Sequence, residues 1–194
     1  MARFPQFPGA IHRGGEWMKA RIRRATPADA AVLAELGAAT FVEAFGHLYT
    51  PEDLRAFLDE SHGITAYEKT LADPRYALWI AEDETGRAIG YAQAGPCGLP
   101  HADVRPGDGE LKRLYVRASH HNGGTGRALM DAAMAWLLRD GPRPLWVSVW
   151  SENFGAQRFY ARYGFAFAGE YAFIVGAQRD REFMYHRPAA PPAV

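Results

Sequence analysis

The sequence predicts an α/β fold on a mixed sheet, and three patterns carry that expectation. Residues 27–45 place apolar side chains at helical spacing before any strand pair appears. Two β-rich runs, Tyr76–Glu82 and Ala88–Ala94, flank Asp83-Glu84-Thr85-Gly86, which reads as a hairpin turn. From Glu110 onward strand and helix signals alternate. Consecutive strands on one side and a β-α-β-α-β alternation on the other give a mixed sheet flanked by helices.

In chain order, Arg21–Ala25 is strand-like and stops at Thr26-Pro27, an N-cap with proline in the first helical position. Ala30, Leu33, Ala34, Phe41 and Phe45 then mark the helix over 27–45. Thr50-Pro51-Glu52-Asp53 starts a second helix, with acid in its first turn. A third covers Thr65–Ala72 and ends at Asp73-Pro74, since the residue before a proline leaves the helical region. After the hairpin, Leu99–Gly109 is a loop and Glu110–Arg117 a strand. Residues 125–139 form a helix with Ala128, Leu129, Ala132, Trp136 and Leu137 on its apolar stripe. Pro144–Trp150 is a strand, Asn153–Tyr163 a helix ended by Gly164, and two strands near 165–174 and 180–186 complete the order.

At 194 residues the chain fits one domain. Residues 1–17, with three glycines and two prolines, read as a disordered extension, 18–187 as the domain, and 188–194 as a disordered tail. Lys+Arg and Asp+Glu both count 22, so nothing in the charge balance calls for nucleic acid or an anionic membrane. No apolar run reaches the roughly 18 residues of a membrane span, and the first residues lack the apolar middle of a signal peptide. The expected location is the cytoplasm. Cys97 is the sole cysteine, so no internal disulfide forms, and no metal-ligand cluster surrounds it.

The chemistry concentrates in two places. Leu114-Tyr115-Val116 ends a strand, His121-Asn122-Gly123-Gly124-Thr125-Gly126-Arg127 follows as a glycine-rich loop, and a long helix leaves that loop directly. Free N–H groups at a helix N-terminus, added to the helix dipole, hold an anion such as pyrophosphate. Glycines let the backbone approach it without a Cβ in the way, and Arg127 adds charge. The competing reading is a turn whose glycines serve tight packing alone. In the second cluster Asn153 begins a helix, Ala156 follows, and Tyr160 lies two turns on along nearly the same face. An amide, a small residue and a phenol suit a groove for a polar, amide-containing ligand arm. Taken singly, Asn153 reads equally as an N-cap and Tyr160 as a half-buried aromatic.

Together these clusters, Gly-Gly-x-Gly after a strand and Asn-x-x-Ala-x-x-Phe-Tyr-x-x-x-Gly-Phe some thirty residues later, resemble the GNAT superfamily of acetyltransferases over roughly residues 20–187. His121 stands where that family usually has Gln or Arg, and Asn122 where it has its first glycine, while Gly124 and Gly126 match. Asn122 tolerates unusual backbone angles better than most residues. Phe41-Val42-Glu43-Ala44-Phe45 and the stretch from Gly169 to Met184 look like the PaiA-type spermidine/spermine N-acetyltransferases.

The resemblance implies a mostly antiparallel central sheet with a V-shaped cleft between its fourth and fifth strands. It implies acetyl-CoA as acetyl donor, with pyrophosphate on 121–127 and pantetheine along Leu114–Val116, and no metal. Transfer is direct, to a small-molecule amine for which a polyamine is one candidate. Tyr160 matches the tyrosine that often protonates the departing thiolate. Glu110, on the strand leading to the site, is the candidate base, with His120 a second. Phe41, Phe45, His47, Tyr49, Trp79 and Trp150 are candidates for the acceptor pocket, and Glu43, Glu52, Asp53 and Glu82 for its carboxylates. The family also allows a homodimer. A non-catalytic acyl-CoA-binding regulatory module and a protein N-terminal or lysine acetyltransferase are the alternatives. A dinucleotide-dependent oxidoreductase fails, because the pattern is not Gly-x-Gly-x-x-Gly and no clear ribose-binding acid ends the next strand.

Overall fold

Residues 77–81 and 89–95 are buried without alternation, as strands covered on both faces are, and the helices supply the two covering layers. The computed structural model describes residues 20–189, so the extension over 1–17 and residues 190–194 of the tail lie outside the described residues. In chain order the elements are β1 (Arg21–Arg24), α1 (Ala30–Phe45), α2 (Pro51–Ser61), α3 (Ile64–Ala72), β2 (Ala77–Glu82), β3 (Ala88–Pro96), β4 (Gly109–Val116), α4 (Thr125–Leu137), β5 (Leu145–Trp150), α5 (Phe154–Ala161), β6 (Ala166–Val175) and β7 (Gln178–Arg187). The seven strands lie in the order β1-β2-β3-β4-β5-β7-β6. Every neighbouring pair is antiparallel except β4–β5.

The parallel pair is the consequential one. It is bonded only from Gly109 to Leu111 on β4 and from Leu145 to Val147 on β5. Beyond that the strands part, and β5 turns to pair along its length with β7. One residue further along β4, the register with β3 changes. Ala94 faces Leu111 and Gln93 faces Arg113, leaving Lys112 as a bulge. Leu111 and Leu114, three apart, therefore share the α4 face, while Glu110, Arg113 and Tyr115 share the other.

Each face has its own core. On one side Leu129, Met130, Ala133 and Leu137 of α4 pack on Ala92, Ala94 and Leu111. On the other, Leu33 and Leu36 of α1 and Tyr67 of α3 cover Leu78, Ile80 and Tyr91. Each fully buried Leu contributes about 1.5–3 kcal/mol over exposure. The buried stripe of α4 is centred on Met130 and Ala133 rather than on Ala128 and Ala132. Trp136 sits half-buried at its flank, edge-on to Trp79 at 6.2 Å. The helical run Pro27–Leu48 is long and apolar enough by composition to cross a membrane, contrary to the expectation from sequence. Its apolar side chains Leu33, Leu36 and Phe41 are instead spent on the core.

The start of that run is fastened by charge. Asp29 accepts from the Arg23 guanidinium at 2.7 and 2.9 Å and from the Thr26 N–H at 2.7 Å, and Arg23 also reaches Glu82 at 2.6 Å. The Arg23 hydrogen bonds, helped by those from Thr26, outweigh burial and hold the Asp29 carboxyl at about 2, against an ordinary value of 3.8. A depressed carboxylate stabilises the fold fully above its unfolded pKa and loses that contribution as pH falls toward its folded one. Asp29→Asn is therefore expected to cost roughly 2 kcal/mol at pH 7. Urea midpoints of the two proteins should converge between about pH 4 and pH 2.

Candidate active site

The separation of β4 from β5 opens a cavity of about 490 Å³, walled by both strands, by β7, and by α1, α2 and α5. Along Leu114–Val116, β3 satisfies one edge of β4. The other edge has lost β5, so its backbone N–H and C=O groups are open to a ligand's amides. Leu114 and Val116 turn their side chains into the α4 core, and Tyr115 stacks on Tyr91 with ring centroids 5.8 Å apart.

At the far end of β4 lies the glycine-rich loop. Asn122 and Gly124 take left-handed angles, φ 64° and 83°. Asn122 thus does what a glycine usually does. No carbonyl among the described residues accepts from the N–H groups of residues 122–127, whereas Ala128 N–H already bonds to Gly124. These are the free donors of a helix start. A Cβ on Gly123 or Gly126 would come no closer than 3.8 Å to any protein atom, and one on Gly124 would meet nothing within 4 Å. Packing does not demand these glycines, while the left-handed φ of Gly124 suits glycine in its turn. The side chains behave less simply: His121 Nε2 lies 2.8 Å from the Val116 carbonyl, and Arg127 leans toward Asp131 at 3.7 Å. Glu43 of α1 accepts from Ala118 N–H at 2.9 Å and pairs with Arg117, tying the loop's entry to α1.

Asn153 caps α5, its Oδ1 accepting from Ala156 N–H at 3.0 Å, and both residues line the cavity. Tyr160 is 6% exposed, its ring packed on Phe159 and Phe165. Its hydroxyl has no hydrogen-bond partner among the described residues, and the residue lines the cavity. Burial, with smaller contributions from Tyr115 and Glu182, holds its pKa well above the ordinary phenol value.

Glu110 and Glu182 both line the cavity, in different surroundings. Glu110 is buried, and its Oε2 accepts from Gly98 N–H at 2.8 Å and Lys112 Nζ at 2.7 Å. Glu182 on β7, paired in register with Trp150, has no salt bridge among the described residues. Burial raises its pKa to about 7; Ser148 pulls it down and neighbouring Asp180 pushes it up. Asp180 accepts from the Tyr49 hydroxyl and from Gln178 Nε2.

Of the aromatic candidates, Phe41, Phe45, Tyr49 and Trp150 line the cavity, and His47 stands edge-on to Trp150 at 6.5 Å. Trp79 does not: it is 8% exposed under Arg24, inside the α4 core. Of the four acids expected from the sequence, Glu43 alone lines the cavity. Glu82 is held by Arg23, and Glu52 and Asp53 occupy the first turn of α2. The sequence reading missed Asp180, Glu182 and Arg113. Alternating acids on a terminal strand read as a solvated face, and only the insertion of β7 between β5 and β6 turns them toward a cleft.

Comparison with known proteins places the site in context. Residues 40–165 match the model of the acetyltransferase (GNAT) family. An uncharacterized N-acetyltransferase of Mycobacterium tuberculosis is 34% identical over 159 residues, 82% of this chain and 97% of the relative. The aminoglycoside N(6')-acetyltransferase type 1 of Stenotrophomonas maltophilia is 30% identical over 128 residues, 64% of this chain and 71% of that one. In fold, the PaiA N-acetyltransferase of Thermoplasma acidophilum, solved in complex with coenzyme A, superposes with a TM-score of 0.67 at 16% identity, over 88% of this chain and 99% of that one.

Proposed function

The chain belongs to the GNAT family of acetyltransferases and is an acyltransferase, and from that premise we propose that it moves the acetyl group of acetyl-CoA directly to a primary amine of a small molecule. One observation carries the reading: the wedge between β4 and β5 runs from an unfilled helix start at one end to a walled cavity holding Tyr160 and Glu182 at the other.

In this reading the N–H groups and glycines of 121–127 hold the donor's pyrophosphate, and the free edge of Leu114–Val116 takes its amide-bearing arm beside Asn153 and Ala156. Neither His121 nor Arg127 is aimed at the phosphates, so the backbone supplies most of the binding. Tyr160, protonated throughout the working range, gives its proton to the departing thiolate. Glu182, free of a cationic partner, takes the proton of the attacking amine. Glu110, held by Lys112 and Gly98, is the base to compare with it. Asp180 and Glu182 offer carboxylates to a cationic acceptor of the polyamine kind.

Free-thiol release from acetyl-CoA across a panel of amines, spermidine and spermine included, tests the reading. Donor binding without turnover of any amine would leave a non-catalytic acyl-CoA module. Gly126→Asp isolates the loop. Its Cβ has room, 3.9 Å from Val116, and an acid in a first helical turn favours the helix dipole. The expected outcome is an unchanged or slightly raised Tm with a KM for acetyl-CoA at least about tenfold higher, the equivalent of about 1.4 kcal/mol of lost binding.

A further inference from the structure

Deep in the acceptor end of the cavity lies a cation without an anion. Arg113, half-buried on β4, donates to the Tyr67 hydroxyl at 3.0 Å and to the Ser61 carbonyl at 2.9 Å. No carboxylate of the described residues comes within 4 Å of it, although it lines the cavity. Its other N–H groups have no protein acceptor among the described residues. The Tyr91 and Tyr115 phenols and the His62 imidazole beside it are neutral near pH 7. Burial raises the Tyr91 and Tyr115 phenols, and burial, with Arg113 itself, lowers the His62 imidazole to about 3. Directly across the β3–β4 ladder, Gln93 is 7% exposed, and its amide oxygen is buried without a partner. A buried charge is costly unless paired, and a guanidinium fork matches a carboxylate with two parallel hydrogen bonds.

The opposite sign gathers on β7, where Asp180 and Glu182 line the same cavity. The Tyr115 phenol feels both Arg113 and Glu182, so the two charges share one neighbourhood. Between them the walls are apolar: Phe41 lies 4.7 Å from Phe57, which meets Phe173 at 5.7 Å. One end of this pocket suits an anion and the other an amine.

We propose that Arg113 is an anion-binding residue of the acceptor pocket, and that the amine acetylated by this enzyme carries a carboxylate. This rests on the acetyltransferase reading above and narrows its acceptor. A polyamine offers nothing to Arg113, so it becomes one outcome of the test.

The test measures thiol release with matched amines that differ by the carboxylate alone: ornithine and putrescine, lysine and cadaverine, phenylalanine and phenethylamine, with spermidine alongside. The expected result is a kcat/KM at least tenfold higher for the carboxylated member of the pair that is turned over best. In Arg113→Gln that ratio should fall toward one through KM, and Arg113→Lys should keep part of it. Equal or better turnover of the decarboxylated members or of spermidine, or a ratio untouched in Arg113→Gln, overturns the proposal. A binding measurement needs no turnover. In the presence of coenzyme A, 3-phenylpropionate should raise the Tm of the wild type and not that of Arg113→Gln, and no shift in the wild type overturns the anion site. Should Arg113→Gln fail to fold, the wild-type ratios and the lysine variant decide alone. A protein that binds 3-phenylpropionate but releases no thiol with any amine keeps the anion site and loses the acetyltransferase reading, so the two failures are distinguishable.

Discussion

Tyr160→Phe is expected to lower kcat about 10²- to 10⁴-fold, the range of a lost general acid, while the KM for acetyl-CoA stays within about twofold. The removed atom is one hydroxyl. Its ring holds its place through Phe159 and Phe165, which phenylalanine preserves. Because that hydroxyl bonds to no protein group among the described residues, its loss leaves no partner stranded, and Tm should rise slightly or stay unchanged. The leaving thiolate loses its proton source in the transition state, whereas donor binding, assigned to the loop and the β4 edge, is untouched. Steady-state kinetics with a thermal melt on the same sample separates the two. A variant with full kcat would remove Tyr160 from the chemistry and leave it as part of the wall.

Glu182→Gln carries the second large effect, and its signature is opposite in stability and in rate. The folded carboxyl titrates at about 7 against an ordinary 4.5, chiefly because burial disfavours its charge. Between those values the folded protein holds a proton that the unfolded chain has released. Stability is therefore greatest below about pH 4.5, declines as pH rises to 7, and is flat above. Glutamine removes the charge, so the variant should exceed the wild type by about 1–3 kcal/mol at pH 8 and match it at pH 4. Activity should fall about 10²-fold or more near neutrality, and the limb of kcat/KM near pH 7 should disappear. The deficit should shrink toward pH 10, where the amine arrives already deprotonated. If the limb persists in Glu182→Gln and vanishes in Glu110→Gln, the base is Glu110.

The fold was legible because its signals are local. Thr26-Pro27, Thr50-Pro51 and Asp73-Pro74 punctuate the helices through capping and proline sterics, and Asp83–Gly86 closes a hairpin, so every helix and strand expected over the described residues is present. The loop was equally legible, since free N–H groups follow from any helix that starts out of a glycine turn. The other end was legible only in part: Phe41, Phe45, Tyr49, Trp150 and Glu43 line the cavity, whereas Trp79, Glu52, Asp53 and Glu82 do not. Whether Trp79 or Trp150 faces the cleft depends on which layer covers which side of the sheet, and both sit in similar apolar alternations. Asp180, Glu182 and Arg113 look like surface charges until the strand order brings β7 and α2 against them. Placing a charge in a cleft requires long-range pairing, which spacing along the chain does not encode.

The bulge at Lys112 gives β4 a property of its own. The strand reads as two messages out of step, one ending at Leu111 and the other resuming at Arg113, joined by a residue that belongs to neither. Because a one-residue slip sends each side chain to the opposite face, drawing Lys112 into the ladder as an ordinary residue would put Arg113 and Tyr115 on the α4 side and turn Leu114 and Val116 toward the cavity. The surplus residue is thus what lets one strand present oil to a helix along its whole length and still change which of its neighbours look into the cleft. Lys112 acts here through its count in the chain rather than through its side chain.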